Sequence, residues 1–105
     1  MEINEQDWKL FRKRIGGWQE AYMDRLNREY LALLSGEGAA SEKFWRLEKR
    51  LQKDKQSPGV VIDMRRSMLF MNMLQLLGNG VIGPEDLEGF SEELRARLAR
   101  CFADH

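Results

Sequence analysis

The residues of this chain best suited to chemistry are its only cysteine and its only histidine, Cys101 and His105. Four residues apart, they would share one helix face, the placement used by paired metal ligands and by thiolate–imidazole couples. The last turn of a helix frays, and neither a third ligand nor an acid to orient the imidazole is evident, so His105 reads as a chain end. Triad and metal-hydroxide chemistry then lose their usual base. A second candidate is Gly78 to Phe90, GNGVIGPEDLEGF, in which Gly80, Ile82 and Asp86 fit positions six, eight and twelve of a calcium loop. Positions one and three fall on Gln75 and Leu77, which cannot supply carboxylates to a hard cation. The other acids fall on solvated helix faces with nothing to raise a pKa. The sequence therefore predicts no catalytic residue, no metal site and no cofactor; a small enzyme is the least favoured of three functional readings.

Binding chemistry is better represented. Between residues 41 and 56, Lys43, Arg46, Lys49, Arg50 and Lys53 fall on the helical arc opposite Phe44, Leu47 and Leu51, giving a continuous basic face. Lys9, Arg12, Lys13 and Arg14 form a secondary basic cluster near the start, whereas residues 81 to 105 are rich in acids. The bland reading of the basic face is a solvated surface partly complemented by that acidic tail. The functional readings are a protein or anionic partner, and nucleic-acid phosphate. The chain's net charge of zero disfavours the last, because phosphate binders are usually net basic. Trp45 lies about 100° from the Phe44 and Leu51 direction, at the margin of the buried stripe. Packing against the first helix is its expected role, and anchoring a partner is the alternative. Met64, Met68 and Met71, with Met73 nearby, are expected in the core rather than on a docking surface.

These residues need helices to position them. Trp8, Phe11, Ile15, Trp18, Tyr22, Leu26, Tyr30 and Leu33 recur at steps of three and four, one face of a helix from about Glu5 to Leu34. Asn4 can cap it and Gly36 stop it. At about 45 Å, such a helix must bend, at Gly16 and Gly17, or overhang a small domain. Ser41 is expected to cap a second helix reaching Lys55 with Phe44, Leu47 and Leu51 buried. Pro58 should end one helix and start the next. That third helix, Val60 to Leu77, is apolar all round its wheel and must be wrapped by others. Gly83 and Pro84 open one helical turn to Leu87, and Ser91 caps a last helix to about Phe102 with Leu94, Leu98 and Cys101 or Phe102 inward.

No segment alternates with period two, so the predicted fold is all-α: a compact bundle of four main helices plus one short helical turn, in a single domain covering residues 1–105. At 105 residues, 43% hydrophobic and 32% charged, the chain can bury a core without a staple. A single cysteine excludes an internal disulfide and fits a reducing compartment, taken as the cytoplasm. The acidic start, MEINEQDWKL, does not read as a signal peptide. Asp63, Arg65, Arg66, Ser67, Asn72 and Gln75 interrupt the central run too heavily for a membrane span. An overhanging first helix with Trp8, Phe11 and Ile15 at its start would need cover, which predicts a homodimer.

The strings FRKRIGGWQEAYM, FWRLEKRL, DKQSPGVV and GVIGPEDLEGFSEEL together resemble a group of roughly 100-residue helical proteins of gut bacteria, often carried on mobile elements. The likeness covers nearly the whole chain. It implies a small non-enzymatic interaction or inhibitor protein, from a population resembling that of the anti-CRISPR proteins, which bind and block RNA-guided nucleases. Many such inhibitors are acidic mimics of DNA, and a net charge of zero departs from that pattern.

Overall fold

In the computed structural model, residues 3–103 are described. They form four α-helices and two 3₁₀ turns, with no strand among them: α1 (Glu5–Ser35), α2 (Ala40–Asp54), α3 (Leu69–Gly78) and α4 (Glu92–Ala103), with 3₁₀ turns at Arg66–Met68 and Pro84–Leu87. None of the helices is long and apolar enough to cross a membrane.

The first helix follows its sequence pattern closely. Asn4 Oδ1 accepts from the backbone N–H of Gln6 at 2.8 Å and of Asp7 at 3.4 Å, and Gly36 ends the helix. Every residue of the eight-residue apolar stripe is buried or half-buried. α1 runs unbroken through Gly16 and Gly17, and a Cβ at either would meet no atom within 4 Å. Neither glycine is therefore a break or a close helix contact. The helix overhangs instead, and the molecule is elongated, 53 × 28 × 21 Å with a radius of gyration of 16.5 Å, against about 13 Å for a compact domain of this size.

The core gathers on the first half of α1. Trp8, Phe11 and Ile15 meet Leu69, Met73 and Leu76 of α3, Ile82 and Phe90 of the connection, and Leu94 and Leu98 of α4. Each such fully buried side chain stabilises the fold by roughly 1.5–3 kcal/mol. The start of α4 is fixed by a buried polar link. Asp7 accepts from the Ser91 N–H at 2.8 Å and from the Ser91 hydroxyl at 2.6 Å, while Ser91 Oγ caps α4 by accepting from Leu94 N–H at 3.2 Å.

The central segment corrects the expectation of a helix over residues 60–77. α3 begins only at Leu69; residues 61–65 have no regular secondary structure, and Pro58 sits in a turn rather than opening a helix. The β-branched run Val60–Val61–Ile62 is a poor helix former. Asp63 then diverts the backbone: its side chain accepts from the Arg65 N–H at 3.0 Å, and its carbonyl takes the Asn72 amide at 2.7 Å. Met64, left outside a helix, is 39% exposed and Met71 is 44% exposed; of the methionine stripe only neighbouring Met73 lies in the core.

Candidate functional site

The second half of α1 and the whole of α2 form a two-helix arm projecting beyond the core. α2 starts at Ala40 with no side-chain cap, so Ser41 does not cap it, and no residue of α2 is buried. Its half-buried positions are Lys43, Leu47, Arg50 and Asp54, spaced at three and four, and these face α1. The seam is largely polar. Arg50 pairs with Glu29 at 2.9 Å and with Asp54 at 3.5 Å, and stacks over the Tyr30 ring at 5.6 Å. The hydrogen bond to Glu29 raises the guanidinium above its ordinary pKa. The Tyr30 hydroxyl donates to Asp54 at 2.5 Å.

Burial, reinforced by the Asp54 carboxylate, pushes the Tyr30 phenol from 10.0 up to about 12. A folded-state pKa raised above the unfolded one stabilises fully below the unfolded value and is lost as pH rises through the folded one. Tyr30→Phe should cost about 1 kcal/mol at neutral pH. Wild type should lose that advantage between pH 10.0 and about 12, so denaturant curves of the two proteins should converge across that window.

This seam splits the predicted basic face. Arg50 is committed to α1 and Lys43 is half-buried. Arg46, Lys49 and Lys53 are exposed and make no ion pair among the described residues; none of the ion pairs there joins α2 to residues 81–103, so the acidic tail does not complement the face. The expected burial of Phe44 and Leu51 is also overturned: they are 62% and 41% exposed, because the arc facing α1 is centred on Leu47 and Arg50 rather than on them. Trp45 does not pack on α1. It is 64% exposed and rests edge-on against Phe44, ring centroids 5.0 Å apart. Helical spacing puts Trp45 and Lys49 on the side of α2 turned away from α1, with Lys53 and Arg46 on the flank next to them.

The secondary cluster divides in the same way. Arg14 is a structural clamp: it donates to the Asp86 carbonyl at 3.2 Å and the Glu88 carbonyl at 2.5 Å, and lies over the Phe90 ring. Gly89, at φ +94°, lets the backbone turn beneath it, and a Cβ there would meet Arg14 at 3.1 Å. Lys9, Lys13 and Arg14 line a shallow depression with Leu10 and Gly89, whereas Arg12 stacks over Trp8 at 5.8 Å.

Elsewhere the candidates for chemistry have structural duties. Asp86 Oδ2 accepts from the Gly83 N–H at 2.8 Å, closing the 84–87 turn. Cys101 is half-buried near the end of α4, and His105 lies outside the described residues. Among the described residues no three His, Cys, Asp or Glu side chains gather to hold a metal ion. A cavity of about 370 Å³ between Leu77, Ile82, Leu87, Leu98 and Phe102 has Arg95 as its one charged lining residue. Comparison with family models, with curated proteins and with solved structures finds no match for this chain.

Proposed function

We propose that this chain is a non-enzymatic protein-interaction module that recognises an acidic surface of another protein through the outer face of α2. One observation carries the reading: Trp45, 64% exposed and braced by Phe44, stands beside Arg46, Lys49 and Lys53, which form no ion pair among the described residues. Tryptophan and arginine are the residues that most often dominate binding energy when desolvated at an interface. Uncommitted cations around them steer an acidic partner and fix its register. The surrounding fold keeps the face rigid, because α2 is anchored to α1 by Arg50 and Tyr30 rather than by the residues it presents.

The exposed cations of α2 favour nucleic acid as a second reading, and Lys9 and Lys13 form a separate basic pair on the core half of α1. Three or so phosphate contacts on a neutral chain would bind duplex DNA only weakly at physiological salt. Titrating a labelled duplex at several salt concentrations separates the readings. The protein-binding account predicts no tight complex. A tight one, whose affinity falls steeply with salt and with Arg46→Glu and Lys49→Glu together, would move the function to nucleic acid. The narrower role implied by the resemblance, inhibition of an RNA-guided nuclease in the cytoplasm, rests on that resemblance and is tested by adding the chain to such a nuclease and measuring cleavage.

A further inference from the structure

The arm has a second uncovered side, which meets the Trp45 face at Phe44. Met23, Leu26, Tyr30, Leu51 and Val60 line a groove of about 160 Å³ between α1 and α2, rimmed by Asn27, Asp54 and Lys55. Leu34 follows Tyr30 by one turn, and Phe44 precedes Leu51 by two, so helical spacing carries that apolar side out to the tip of the arm. There Leu31 is 64% exposed, Leu34 44%, Phe44 62% and Leu51 41%. The sequence-based reason for a dimer, an uncovered start of α1, is removed, since Trp8, Phe11 and Ile15 lie in the core. The uncovered apolar surface is at the other end of the same helix.

We infer that a second copy of this chain covers this strip, the two arms packing face to face as a four-helix bundle. Area supports that occupant. With aromatic side chains near roughly 200 Å² when fully exposed and leucine nearer about 150 Å², those fractions leave on the order of 300–400 Å² of apolar surface. A standard interface buries about 800 Å² per partner, a little over half of it apolar. The strip thus supplies most of the apolar share of one partner. A two-helix hairpin with an unburied stripe buries it most simply against its own image, in a closed two-fold pair that needs no further chain. Charge permits it. Arg46, Lys49 and Lys53 fall on the opposite side of α2 from Phe44 and Leu51, so a symmetric seam brings none of these cations together, and the groove's own cation, Lys55, has the Asp54 carboxylate beside it in the lining. The pair would display two Trp45 faces outward, making the module bivalent; the dimer itself does not depend on what those faces bind.

Sedimentation equilibrium of the full chain, from low to high micromolar concentration, tests the proposal. The expected species is twice the 12.3 kDa chain mass. Leu31→Glu with Phe44→Glu should weaken association at least about thirtyfold, while Glu93→Gln, exposed on α4 at the core end, leaves it intact. Circular dichroism checks that the double variant keeps its helix, and Leu34→Ser is the milder alternative should it not. A monomer at every concentration would overturn the inference, as would a dimer indifferent to Leu31, Leu34 and Phe44. A wild-type monomer whose strip is covered only by a different protein would overturn it as well.

Discussion

Leu76→Asp is expected to leave the chain unfolded at room temperature. Leu76 is completely buried among Phe11, Met73, Leu94 and Leu98, with no polar group in that cluster to receive a carboxylate. Burying an unpaired charge costs well over 4 kcal/mol, and a domain of this size has only about 5–15 kcal/mol of stability to lose. Leu69→Asp, 3% exposed in the same cluster, should behave alike. Val61→Asp is the control: at 65% exposed in the irregular segment, it should shift stability by no more than about 0.5 kcal/mol. Far-ultraviolet circular dichroism and a denaturant curve read all three. A cooperative transition retained by Leu76→Asp would contradict the core described here.

The second large effect is expected at Gly59. A Cβ there would sit 2.2 Å from Tyr22 Cδ2 and 2.7 Å from Cγ and Cε2. The ring cannot easily withdraw, because Tyr22 lies on the buried stripe of α1 and Arg25 stacks over it at 5.0 Å. Gly59 is buried in the turn that returns the chain from α2 to α1, a turn also held by the Gln19 amide donating to the Pro58 carbonyl at 3.1 Å. Gly59→Ala should therefore destabilise by about 3 kcal/mol, the upper end for overpacking. The mechanism predicts strong non-additivity: in a Tyr22→Ala background the same change should cost less than about 1 kcal/mol. Equal costs in both backgrounds would place the strain elsewhere.

Where the sequence was legible, local physics decided the outcome. The α1 stripe, the Asn4 cap, the Gly36 stop, the Pro84 turn and the Ser91 cap each depend on a few neighbouring residues, and each appears where its chemistry points. The 60–68 segment was not legible as a strap, because apolar content alone cannot tell a buried helix from an irregular run; Asp63 and its bond to Asn72 decide between them. The orientation of α2 was equally hidden. Periodicity identifies the apolar arc of a helix but not which arc meets its neighbour. Here the Arg50–Glu29 pair and the Tyr30–Asp54 bond turn a polar flank inward and leave Phe44, Leu51 and Trp45 outside. The same seam divides the basic residues of α2: Arg50 is drawn into it, while Arg46, Lys49 and Lys53 stay exposed. Arg14 differed likewise, since the carbonyls of Asp86 and Glu88 that it clamps lie more than seventy residues away.

The protein partner proposed for the outer face of α2 can be captured directly. Tagged wild type and the Trp45→Ala, Lys49→Glu double variant, both verified as folded, should be used to capture material from lysate of the organism that encodes the chain, with and without nuclease treatment. Wild type should recover a defined acidic protein at stoichiometric yield, and the double variant should lose it while keeping its own thermal stability. Equal recovery by the two, or recovery that vanishes with nuclease treatment, would contradict the claim.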